Sequence, residues 1–460
     1  MNASSPNDSR GLIGRAHRLA TRPSSLILIS LGFQNGLRLV SSMILTRLLD
    51  THDFGVMGII MSWMIVLTMI SDIGVYAVVT RHKRFFEPAF LDAIWTFRAL
   101  RGLVITIAMI VLAGPIASVS AKSEVAAPLA VAALVLLIDG SQSLFNVTAP
   151  REGRLAQLTL FEMTGALVQT LFTILLALMI PSYWALVWGY VSGACVKTVA
   201  SFLLPGAARR PSFDREVFRE LIVGGRPFFI SSVASVFVRQ IDKILLSRFM
   251  TLPQFGIYTI ASNLTSVPTL LSDNYARRFL YIAYVNHREA QDRPDTGFFL
   301  KFGRPFRWLY VAGVGALVGG GEAIVHILYD SRYWFAATYI YLLAPSIFLR
   351  LTNARMEQFL LAHKVDAAQM YANLIRAAWI VISLPAAYHW GGQLAMIAAL
   401  GCVEVPVHVY LSARVHGLVG SFHWRERATA FAVALAAGLV ALALSQIGLA
   451  LVEGQKLAIF

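Results

Sequence analysis

Apolar runs of about 20 residues recur along nearly the whole chain, each long enough to cross roughly 30 Å of hydrocarbon. In that layer no water reaches the backbone, so each run must satisfy its own N–H and C=O groups by being a helix. A transmembrane barrel would show short alternating strands instead. Composition points the same way: of 460 residues, 57% are hydrophobic and 14% charged. Soluble domains devote about a quarter of their residues to charge. The predicted spans are 24–46, 55–80, 94–119, 125–148, 158–180, 182–204, 221–246, 255–280, 305–328, 334–359, 369–390, 392–413 and 428–452, about thirteen in all. The apolar end Leu457-Ala458-Ile459-Phe460 is compatible with the stub of a fourteenth.

The net charge of +14 would suggest a nucleic-acid partner in a soluble protein. Here its distribution gives a different account. With the N-terminus inside, the cytoplasmic segments, counted with the inner end of the 255–280 span from residue 277, carry 23 Lys and Arg. The other side carries five: Arg47, Lys122, Arg248, Arg332 and Lys456. This positive-inside bias predicts a cytoplasmic N-terminus and no nucleic-acid partner. Residues 1–23 are polar and basic, but 24–46 is longer than the core of a secretory signal, so it reads as a retained helix. Cys195 and Cys402 both fall in predicted spans and offer neither a disulfide framework nor metal spacing.

An internal repeat organises these helices. Residues 41–72 and 242–273 align without a gap at an offset of 201. The identities include Arg47/Arg248, Phe54-Gly55/Phe255-Gly256 and Ser71-Asp72/Ser272-Asp273, none of which lipid-facing composition supplies by default. An even number of spans separates the copies, so both run in the same direction and the repeats are parallel, related by an axis along the membrane normal. The expected architecture is all-α: a basic tail (1–23), a six-helix lobe (24–204), a connector (205–220), a second six-helix lobe (221–413), and a loop with an additional helix (414–460). The stretch around 281–300 reads as a solvated cytoplasmic linker, with contact to anionic lipid as the other reading.

Segment 37–76, with Leu37-Arg38, Thr46-Arg47-Leu48-Leu49, Asp53-Phe54-Gly55 and Ser71-Asp72-Ile73-Gly74, resembles the opening of Wzx-type oligosaccharide flippases. These belong to the multidrug/oligosaccharidyl-lipid/polysaccharide superfamily. Segment 239–258, with Arg239, Asp242, Leu245-Leu246 and Phe255-Gly256-Ile257-Tyr258, is similar to their second-lobe counterpart. The resemblance implies two six-helix lobes facing each other in a V, in the bacterial inner membrane. It implies export of undecaprenyl-diphosphate-linked oligosaccharide with no cofactor, alongside a polysaccharide polymerase and assembly proteins as partners.

Charges inside a bilayer are costly, about 2.5–3.5 kcal/mol each on insertion scales, and are functional candidates by default. Arg98, Arg101, Lys197, Arg226, Arg307, Arg350, Arg355 and Arg376 fall near cytoplasmic helix ends, where long side chains can snorkel to the interface. Arg38 and Arg239 lie deeper and are related by the same offset of 201. Arginine suits a diphosphate because its planar fork donates several hydrogen bonds and keeps its charge when desolvated. Gln34 and Asn35, one turn before Arg38, would add groups for sugar hydroxyls. Asp242 and Lys243 follow Arg239 by one turn, and an internal Arg239–Asp242 ion pair is the other reading of that cluster. Asp72 and Asp273 are a second matched pair, either capping loop amides at helix ends or forming a cytoplasmic gate.

Arg47/Arg248 and Phe54-Gly55/Phe255-Gly256 read as outer-turn devices, glycine serving the turn and the aromatic the interface. Glu322/His326 and Glu404/His408 have i,i+4 spacing, suited to buried hydrogen-bond pairing or to proton relay. Neither matches a zinc-protease motif. Gly319-Gly320-Gly321 predicts close packing or a kink. The competing functions are a cation-coupled multidrug exporter of the same superfamily and a membrane-embedded polysaccharide-processing enzyme. The short outer loops speak against the enzyme.

Overall fold

The structure is a computed structural model, and it describes residues 23–71, 79, 82–85, 87–204, 210–290, 298–299, 302 and 304–419. The expected additional helix at 428–452, the basic tail and Asp72 lie outside the described residues. The helices in chain order are α1 (Pro23–Leu48), α2 (Thr51–Ser71), α3 (Pro88–Val119), α4 (Ala126–Ala132), α5 (Leu134–Ser141), α6 (Phe145–Thr148), α7 (Leu155–Met179) and α8 (Tyr183–Ser201). They continue as α9 (Arg215–Phe249), α10 (Leu252–Tyr275), α11 (Tyr281–Ala290), α12 (Arg304–Gly319), α13 (Gly321–Leu328), α14 (Ala336–Ala362), α15 (Ala367–Gly401) and α16 (Glu404–Val419). No strand occurs among the described residues. Six of the helical stretches, or seven with α12–α13 taken as one bent span, are long and apolar enough to cross a membrane.

The chain divides into two compact units. One comprises residues 1–49 and 63–234, the other 50–62 and 235–460. In the first, Phe85, Phe90, Ile94, Leu144, Val217 and Leu221 form a buried core beside the start of α9. The chain entering α9 is strapped down there: the amide of Arg210 donates to Asp92 Oδ1 at 3.3 Å and that of Ser212 to Thr96 Oγ1 at 2.9 Å.

The second unit begins with a feature the repeat foreshadowed. The helix starts at α2 and α10 use equivalent positions: the amide of Asp50 donates to Asp53 Oδ2 at 3.0 Å, and that of Thr251 to Gln254 Oε1 at 3.0 Å. At Thr251 the bond is reciprocal, a capping box. These caps, not the glycines, make the turns. Gly55 and Gly256 lie within their helices, and a methyl on either would overlap the partner helix's backbone, Leu252 for Gly55 and Thr51 for Gly256. Their role is close helix approach, as for small residues in membrane interfaces generally, which corrects the turn reading. Phe54 packs edge-on against Tyr333 at 5.5 Å, and Asp50 is ion-paired with Arg332.

Elsewhere in this unit the breaks follow glycine. Between α12 and α13 the axis bends by 65° at Gly319-Gly320-Gly321, the predicted kink. Within α15, Gly391 and Gly392 leave helical geometry, Gly392 at φ 65° and ψ −153°, where a side chain would be strained. That break falls between the spans expected at 369–390 and 392–413.

The segment after α10 departs from expectation. Residues 276–280 form one turn of π-helix and 281–290 a helix, rather than a solvated linker. Tyr284 is buried against Phe299 and Phe359, His287 stacks on Phe298, and Arg288 Nη1 donates to the Ala362 carbonyl at 2.7 Å. Aromatic burial outweighs the local polarity that suggested a loop.

Candidate functional site

One face of α10 is a polar stripe: Ser262, Thr265, Ser266, Thr269 and Asp273 recur at helical spacing. It borders a cavity of about 480 Å³ in the second unit, closed on other sides by α14, α15 and the start of α16. That volume lies in the range of small-molecule sites.

The far wall is an ionic network built from helices distant in sequence. Arg376 on α15 reaches Glu357 Oε1 at 2.7 Å and Glu404 at 2.9 and 3.0 Å. Arg350 on α14 bonds Asp273 Oδ1 at 2.9 Å and Glu404 Oε1 at 3.2 Å. Arg277 approaches Asp273 at 3.8 Å from the more exposed side. Three arginines thus meet three carboxylates, and the group is balanced in charge. Glu357, Arg376 and Glu404 are all buried. Ions so placed are tolerated only when paired and hydrogen-bonded. Asn353 completes the set, donating to Glu404 Oε2 at 2.6 Å while its Oδ1 accepts from His408 Nδ1 at 2.7 Å. Glu404 and His408 are therefore linked through an intervening amide, not paired directly as their spacing suggested.

The arginines near helix ends also need correction. Arg350 and Arg376 turn inward to carboxylates, and Arg355 donates to the Phe299 carbonyl, so these three do not snorkel. Arg307 is buried as well. In the first unit Arg98 turns to Asn146 Oδ1 at 3.5 Å and the Asp139 carbonyl at 3.3 Å.

Of the residues singled out by sequence, Asp242 and Asp273 are brought together on the cavity wall. Tyr258 Oη donates to Asp242 Oδ2 at 3.2 Å. Lys243 Nζ turns to Gln240 Oε1 at 3.4 Å. Asp273 caps no loop, because helix continues past it through residues 276–280; it is ion-paired instead. Arg38, Asn35 and Gln34 stand on α1 in the first unit, outside this cavity. Arg38 is exposed there, and Gln34 Nε2 donates to Ser30 Oγ at 3.0 Å. Arg239 lies on α9, its side chain outside the described part. His326, of the Glu322/His326 pair, stacks on Trp334 at 3.9 Å. Among the described residues no His, Cys, Asp and Glu cluster is placed to hold a metal ion.

Sequence reasoning passed over Glu357, Asn353 and the inward roles of Arg350 and Arg376. A signal was available. Glu357 and Glu404 are acids in apolar spans, and each such acid implies a basic partner nearby.

Comparison with known proteins agrees with this architecture. Residues 44–295 match a family described as polysaccharide biosynthesis protein. An uncharacterized membrane protein in the cps region of Klebsiella pneumoniae is 20% identical over 384 residues, 82% of this chain and 76% of that protein. The lipopolysaccharide biosynthesis protein WzxC of Escherichia coli (strain K12) is 20% identical over 266 residues, 57% of this chain and 54% of its own length. Among solved structures, the lipid II flippase MurJ in an inward closed conformation superposes with a TM-score of 0.67 at 11% identity, covering 92% of each chain. An inward-facing multidrug resistance MATE family transporter gives 0.62 at 11% identity, over 85% of this chain and 98% of that one. At such identities the structural likeness establishes the fold, a multi-helix membrane transporter fold. With more than half of its length matched, the chain belongs to the polysaccharide biosynthesis protein family.

Proposed function

We propose that this protein translocates an undecaprenyl-diphosphate-linked oligosaccharide across the bacterial inner membrane, supplying exopolysaccharide or O-antigen assembly. The observation that carries the proposal is a large polar cavity, walled by hydroxyls, amides and balanced ions, inside a chain of this family whose helices are otherwise apolar. A passage for greasy cations would not need such a wall. Maintaining five buried or half-buried charges in one bundle is costly, and a polar cargo gives them a use.

Transport proceeds by alternating access between the repeat-related lobes at 24–204 and 221–413, with the N-terminus cytoplasmic. Arg38 and Arg239, equivalent in the repeat, bind the diphosphate. Asp273 acts in the gate with Asp72, and its shared hydrogen bonding to Arg350 and proximity to Arg277 supply a pair that can exchange. A polymerase and other assembly proteins receive the exported unit. The names borne by WzxC and by the succinoglycan biosynthesis transport protein ExoT of Rhizobium meliloti (strain 1021) support the same reading.

The test is a clean deletion strain. Undecaprenyl-linked oligosaccharide is expected to accumulate on the cytoplasmic leaflet, reversed by the gene in trans. Normal lipid-linked pools with altered sensitivity to cationic drugs would replace this reading with the multidrug exporter.

A further inference from the structure

The cavity in the second unit has a chemical bias that its charge balance conceals. Its two inner arginines are engaged: Arg350 and Arg376 spend their donors on Asp273, Glu357, Glu404 and Asn373, while Arg277 stands exposed at the edge, 3.8 Å from Asp273. On the opposite wall the hydroxyl protons are engaged as well. Thr265 Oγ1 donates to the Ser262 carbonyl at 3.2 Å, Ser266 Oγ to that of Asn263 at 2.7 Å, and Thr269 Oγ1 to that of Ser266 at 2.7 Å. Back-bonding of this kind leaves each oxygen with lone pairs only. Tyr258 donates its proton to Asp242 Oδ2, so its oxygen also remains an acceptor. Asp242 Oδ1 is shielded from solvent and has no hydrogen-bond partner among the described residues. A buried carboxylate oxygen left unmatched is unfavourable until a donor arrives.

The α10 wall from Tyr258 through Ser262, Thr265, Ser266 and Thr269, with Asp242 of α9 beside Tyr258, therefore offers acceptors with few donors. An anion would find no cation along the stretch from Tyr258 to Thr269, Arg277 standing beyond it at the exposed edge. A polyhydroxylated ring would find a row of oxygens spaced along about two turns of helix, each able to take an O–H. We infer that this cavity is a subsite for the sugar part of the cargo, recognised through its hydroxyl donors, and that the diphosphate is held elsewhere. The inference rests on the transport reading above and adds to it which portion of the cargo occupies this site.

The experiment uses the full-length purified protein in nanodiscs. Cys195 is exposed and Cys402 half-buried, so both are replaced, Cys195→Ser and Cys402→Ala. A reporter is then introduced as Gln369→Cys, an exposed position on the cavity rim. The probe is the repeat-unit oligosaccharide prepared from the host's own surface polysaccharide, free of lipid and phosphate. Maleimide labelling of the reporter is expected to slow as this oligosaccharide is added, and not with inorganic pyrophosphate or sodium chloride. Asp242→Asn, and separately Ser266→Ala with Thr269→Val, are expected to weaken the protection by about tenfold or more. Unchanged labelling without sugar would show that these variants still fold.

Protection by pyrophosphate or by sodium alone, or none by the oligosaccharide, overturns the inference. The deletion strain reports separately on transport. Accumulation there together with no protection here removes the sugar subsite and keeps the flippase, whereas protection without accumulation removes the flippase and leaves a sugar-binding site.

Discussion

At the level of single residues, Arg376 shows how a buried charge can be structural and still shape a site. It contacts two carboxylates and Asn373, and its removal would leave the buried Glu357 without this ion-pair partner. Arg376→Met is expected to lower stability by about 3–5 kcal/mol, as breaking a buried pair generally does. Adding Glu357→Met should recover part of that loss, because the stranded charge goes with it, while Glu404 keeps Arg350. Thermal unfolding of the purified variants in detergent measures both. The contrasting pair is Arg38 and Arg239. If they hold the diphosphate, Arg38→Ala or Arg239→Ala abolishes polysaccharide export while the protein still reaches the membrane in normal amount. Export at the wild-type level in both variants, read by surface-polysaccharide staining beside an immunoblot of membranes, would exclude them.

Elements in the second unit are placed by what their neighbours permit. The crossing of α2 with α10 requires two glycines, each lying over the other helix's backbone. Gly55→Val or Gly256→Val must drive the helices apart and is expected to cost about 1–3 kcal/mol, in the range of overpacking elsewhere. Gly114→Ala on α3 is the control, since beyond its own turn of helix no heavy atom lies within 4 Å of the added methyl. Loss of the folded fraction by size-exclusion chromatography in the valine variants, with the alanine variant unaffected, is the expected pattern; equal behaviour would show the crossing to be slack. The stretch at 281–290 teaches the complementary point. Its charges look like those of a linker, yet Tyr281, Tyr284 and Val285 share one face and pack against aromatics from 298–302 and from α14.

At the scale of the whole molecule, a family match over residues 44–295 and a full-length likeness to transporter structures concern a chain whose own surface is rich in exposed leucine, isoleucine and valine. In water such a surface would drive aggregation, whereas in a bilayer it is the solvent-facing side. The transport prediction belongs here, because accumulation of a lipid-linked intermediate depends on the complete cycle and not on one contact.

The membrane class, the helical content and the tandem repeat were legible in the amino-acid sequence alone, because span length, hydropathy and an offset of 201 are one-dimensional quantities. The same holds for the kink at Gly319-Gly320-Gly321, where backbone freedom is written into the residue type. The caps at Asp50 and Thr251 are partly so, since their partners lie three residues away. The cavity is of another kind. Arg350, Glu357, Arg376 and Glu404 come from three helices, and each charge alone looks like a residue reaching for the interface. Only packing decides whether a long side chain turns outward to water or inward to a carboxylate, because the energies of the two differ through a partner that local sequence does not contain. For the same reason Asp242 and Asp273, read from sequence as a cation's neighbour and a helix end, became two walls of one chamber.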